Sequence, residues 1–98
     1  MKPILIKANG EERIVIPHNG TNFDLYELQG FVGGTIDIVP TRDGRIIVIN
    51  DEGKINELPI NEKATKLLHE KYTRIPGIYD EWNTIMGDVL VCDNSFVK

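Results

Sequence analysis

Sulfur is scarce in this chain: Cys92 is its one cysteine, so no internal disulfide can form, and nothing argues for an oxidising compartment. The cytoplasm is therefore the expected location. Long apolar runs are missing as well. The longest aliphatic stretch, Ile46 to Ile49, falls far short of the roughly 20 residues a membrane-spanning helix needs, and no membrane association is expected. The opening Met1 to Lys7 is too briefly apolar for the roughly 7 to 15 residue core of a secretory signal, and reads as a first strand. Charge of one sign does not dominate: eleven basic and fifteen acidic residues leave a net −4, interleaved along the chain. Such a field weakly repels polyphosphate, which disfavours non-specific nucleic-acid binding. It is also too sparse in regularly spaced carboxylates for a mimic of DNA.

Catalytic and cofactor signatures are lacking too. There is neither a Gly-x-Gly-x-x-Gly nor a Gly-Lys-Ser/Thr sequence to cradle phosphates. His18 and His69 have no cysteine or carboxylate at metal-ligand spacing, and read as surface residues. Cys92 has no flanking base and sits in an apolar stretch, where a thiol is a packing residue. The chain is expected to be no enzyme and to hold no cofactor or metal.

What is present suits one folded domain over residues 1–98, with 41% hydrophobic and 27% charged residues. Ile4–Lys7 and Arg13–Ile16 read as strands of a hairpin turned at Asn9-Gly10, a pair that supplies positive φ angles. Pro17 to Asn22 is a loop. Leu25, Leu28 and Val32, with Phe31 beside them, have helical spacing; Thr21 or Asn22 is the expected cap and Gly33-Gly34 the expected end. A second hairpin follows, Thr35–Val39 and Ile46–Ile49 joined by Arg42-Asp43-Gly44-Arg45. The aliphatic run has no polar face, so its strand should be covered on both sides or lie centrally. Asn50-Asp51-Glu52-Gly53 is a turn, Asn61 caps a helix from Glu62 to Tyr72, and Thr84–Cys92 is a last strand interrupted at Gly87. The expected fold is α+β: about five strands in a mixed or mostly antiparallel sheet, with two helices on one face. Its open edges favour homo-oligomers.

Four blocks, Gln29 to Val39, Asn50 to Lys54, Leu58 to Asn61 and Ile85 to Val91, together resemble a small domain-of-unknown-function family of bacteriophages, plasmids and other mobile elements. The family pattern is Leu-Gln-x-x-Val-Gly-Gly, Asn-x-Glu-Gly, Leu-Pro-x-Asn and Gly-Asp-x-Leu-Val, matched over roughly residues 3 to 92. The stretch from Thr73 to Trp82 departs from it, being longer and more aromatic. The resemblance implies a mobile-element origin, hence a host-cell cytoplasm, and no established activity.

Candidate sites are therefore argued from residues. Gly33, Gly34, Asn50 and Gly53 read as structural turns, although paired glycines also permit a close ligand approach and Asp51 with Glu52 could meet a hard cation. Asn61 opens a helix whose free N–H groups, with Lys63 and Lys66, suit an anion, or simply caps it. Asp88, beside Gly87, is either a ligand contact or a polar anchor. Arg74, Tyr79 and Trp82 fall in one aromatic segment able to stack on a base or anchor an interface. The expectation is a binding protein without catalysis, with Asn61, Lys63, Arg74, Tyr79, Trp82 and Asp88 as ligand contacts, sequestering a nucleotide-derived signal against host defence. The alternative is a module that grips and inhibits a host enzyme.

Overall fold

Every residue of Ile46–Ile49 is apolar, and the structure hides both of its faces. The computed structural model describes residues 2–40, 44–53, 56–71 and 85–97. In chain order the elements are β1 (Ile4–Ile6), β2 (Glu12–Ile14), α1 (Leu25–Val32), β3 (Ile36–Pro40), β4 (Arg45–Asn50), α2 (Glu62–Lys71) and β5 (Val89–Asp93), followed by one 3-10 turn at Asn94–Phe96. The strands form a five-stranded sheet in the order β2-β1-β5-β4-β3. All neighbours are antiparallel. The α+β class, the two helices and the five strands are those the sequence leads one to expect.

The placement of the helices differs from that expectation. Leu28 and Val32 of α1 pack with Ile46, Val48, Leu90 and Cys92, whereas Ala64 and Leu67 of α2 pack with Ile47, Val89, Val91 and Ile6. Side chains alternate across a sheet, so these two sets lie on opposite faces, with one helix over each. The cause is the composition of the central strands. Ile46-Ile47-Val48 and Val89-Leu90-Val91-Cys92 are buried at every position, and a strand apolar on both faces needs a cover on each. Full burial of each such side chain contributes about 1.5–3 kcal/mol.

Local chemistry sets the ends. Asp24, not Thr21 or Asn22, caps α1: its extended backbone lets the carboxylate accept from Glu27 N, while Glu27 reaches back to Asp24 N. Gly33 closes the helix at φ +81, its N–H donating to Gln29 O. The first hairpin turns through a three-residue loop, Ala8-Asn9-Gly10, between the paired Lys7 and Glu11, with positive φ at Gly10 alone. The last strand starts at Val89 because Gly87, at φ +84, breaks the extended run. Phe23, 2% exposed, meets Phe31 edge-on at 5.5 Å and closes the cluster under α1.

Candidate functional site

Asn61 is fully buried, and its amide is used from both ends. Its Nδ2 donates to Ile6 O and to Gly87 O, each at 2.9 Å, while its Oδ1 accepts from Ala64 N at 3.0 Å and caps α2. Lys63 Nζ, from the second residue of the helix, donates to Gly10 O at 2.6 Å and pairs with Glu12 at 2.9 Å. Asp88 Oδ1 accepts from Ala8 N at 2.9 Å. Three residues singled out as ligand contacts thus converge on one structural object: all three fasten β1 and the loop after it to the body of the molecule. Arg74, Tyr79 and Trp82, and the whole segment from Thr73 to Asn83, lie outside the described residues.

The turn residues interlock in the same way. Asn50, buried, donates from Nδ2 to Val32 O at 3.1 Å and accepts from Glu52 N at 2.8 Å, tying the end of α1 to the turn after β4. A Cβ on Gly34 would stand 3.0 Å from that Nδ2, so any larger residue would have to push the Asn50 amide aside. Gly53 backs onto Met86 in the same manner. Leu58-Pro59 lies along Gly87, whose N–H donates to Pro59 O at 2.7 Å. A concavity of about 340 Å³ opens where Phe31, Gly33, Pro59, Gly87 and Asp88 meet. Blocks far apart in the chain therefore share one knot of structure.

A second groove, of about 390 Å³, runs between α2 and the sheet. Its floor is aliphatic, from Ile4, Ile6, Val91 and Leu67, and its rim carries Lys63, Lys66 and Arg45 with Glu12 as the opposing charge. Lys63 and Lys66 stand three residues apart on one helix face, a spacing visible in the sequence. Arg45 joins them only because β4 lies two strands from β1, which no local pattern reveals. Lys66 has no partner among the described residues. A third groove, of about 500 Å³, lies between α1 and the edge strand β3, lined by Leu25, Leu28, Ile36 and Ile38.

Cys92 is buried, and that burial, followed by the neighbouring Asp93, raises its thiol from 9.0 to about 11. Among the described residues, no three histidine, cysteine or carboxylate side chains cluster as metal ligands would. No described helix is long and apolar enough to cross a membrane.

Residues 1–95 match the family described as the domain of unknown function DUF3846. The chain belongs to this family. No curated protein and no solved structure matches it. Its DUF3846 assignment spans the knot of turns and the whole sheet, so the family's extent is the extent of the fold described above.

Proposed function

We propose that this DUF3846 domain is a non-catalytic binding protein of a phage or related mobile element, taking up a small anionic, nucleotide-like ligand in the groove under α2 and withholding it from host defence. One observation carries the reading: three cationic side chains, Lys63, Lys66 and Arg45, rim an aliphatic floor in a chain of net charge −4. An apolar pocket with a few convergent charges suits a ligand that has a flat organic body and a phosphate. The groove volume falls in the range of small-molecule sites. Lys63 is held in place by Glu12, whereas Lys66 has no partner among the described residues and suits an anion at the rim.

Calorimetry against cyclic and ADP-ribose-derived nucleotides tests the reading directly. Binding is expected for at least one of them, weakened about tenfold or more by Lys66→Glu, with the ligand recovered unchanged by chromatography. No binding by any nucleotide ends the proposal, and recovery of an altered product overturns its non-catalytic half.

A second reading, a module that grips a host enzyme, is favoured by the groove between α1 and β3. Leu25 is 56% exposed, Ile38 40% and the adjacent Tyr26 87%, a cluster of large apolar surface beside a concavity. Capture of one host protein, lost on Tyr26→Ala, supports this reading. Loss on Trp82→Ala instead assigns the contact to the segment before Ile85.

A further inference from the structure

The two edges of the sheet are not equivalent. At β3, Asp51 N donates to Thr35 O, which sets the alternation of hydrogen-bonded pairs and turns the backbone groups of Ile36, Ile38 and Pro40 outward. That edge is blunted: the Asp37 carboxylate takes the Ile38 N–H at 2.9 Å, and Pro40 has no N–H to offer.

At the opposite edge, Lys7 N donates to Glu11 O and Val15 N to Pro3 O, so Glu11, Arg13 and Val15 bond inward to β1. Glu12, Ile14 and Ile16 then turn their N–H and C=O groups away from the sheet, and no described residue takes them. No described residue guards this edge. Ile14 is 61% exposed and Ile16 76%. The charges beside them are already neutralised within the chain, Glu11 by Arg13 and Glu12 by Lys63.

We propose that β2 pairs with β2 of a second copy of this chain, antiparallel about a twofold axis through Ile14. The occupant follows from self-complementarity. The outward residues are symmetric about Ile14, so Ile14 faces its own copy and Ile16 lies against the aliphatic stem of the partner's Glu12. Each facing pair exchanges both of its N–H···O bonds. The register shifted by one, centred on Arg13, is disfavoured because it sets two guanidinium groups directly opposite one another. The Ile14 register instead places Val15 opposite Arg13. The result is one continuous sheet with both α2 helices on the same side.

Light scattering coupled to size exclusion, run on the full chain over a dilution series, reads this out. The wild type is expected to be a dimer and Ile14→Lys a monomer of unchanged circular dichroism, since Ile14 is already mostly in solvent. Ile38→Lys, at the blunted edge, should remain a dimer. Ile14→Cys should cross-link to itself under mild oxidation, because hydrogen-bonded partners stand about 5.5 Å apart at Cα, within disulfide reach; buried Cys92 does not compete. A wild type that is monomeric throughout, a dimer that survives Ile14→Lys, or cross-linking through Arg13→Cys and not Ile14→Cys overturns the proposal.

Discussion

The side-chain amide of Asn61 serves three backbone groups from three parts of the chain: Ile6 in β1, Gly87 before β5, and Ala64 in the first turn of α2. Asn61→Ala removes at once a hydrogen bond to each of two buried carbonyls and the cap on one buried N–H. Since each lost bond to a carbonyl costs about 0.5–1.5 kcal/mol and the uncapped N–H about 1–3, the variant should lose about 2–6 kcal/mol in urea unfolding, a large part of the stability of a small domain. Asn61→Asp keeps the helix cap but sets a carboxylate against two carbonyls, and should rescue little. Cys92 offers a second residue-scale check. Its thiol is buried and its pKa raised, so a thiol reagent should leave it unlabelled in buffer and modify it fully in denaturant. The folded chain holds this proton more tightly than the unfolded one. The contribution to stability is therefore fully present below about pH 9 and declines as pH rises toward about 11, which a set of urea titrations would register.

Among the elements, α1 shows how a short helix is held. Its eight residues would not persist alone in water; the capping box of Asp24 and Glu27 satisfies its first donors, and Glu27 also accepts from His18 N at 2.8 Å. Asp24→Ala should cost about 1 kcal/mol, and Asp24→Asn only a fraction of it, as measured by chemical denaturation. The sequence pointed to this helix, its glycine end and its apolar stripe, because those are signals over a few residues. It misplaced the cap because Thr21, Asn22 and Asp24 are all competent, and the choice falls to the one whose backbone is extended at the right residue. The opposite placement of the two helices was implicit in Ile46–Ile49, whose want of a polar face demanded two covers. What no local pattern carried was the arrival of Arg45 beside Lys63 and Lys66, or the use of Asn61, Lys63 and Asp88 to fasten one loop. Those depend on which strands become neighbours.

For the whole molecule, the decisive fact is the strand order β2-β1-β5-β4-β3. The two hairpins do not touch one another as sheet neighbours; β5 stands between them and bonds to both. A chain ending at Asp88 should therefore show no cooperative thermal transition and a disordered circular dichroism spectrum, whereas one ending at Asp93 should retain a sheet, weakened by the loss of Phe96 and Val97 from the cluster under α1. Retention of a sharp transition by the shorter chain would contradict this role for β5.

The position of β5 also governs how the protein comes into being. Residues 89–93 leave the ribosome after every other described strand of the sheet, so both hairpins emerge before the neighbour they share. Until then Ile46–Ile49 and Ile4–Ile6 have no β5 beside them, a state that invites chaperone capture. The nascent chain waits in two unjoined halves, and the strand made last is the one that lets either of them fold.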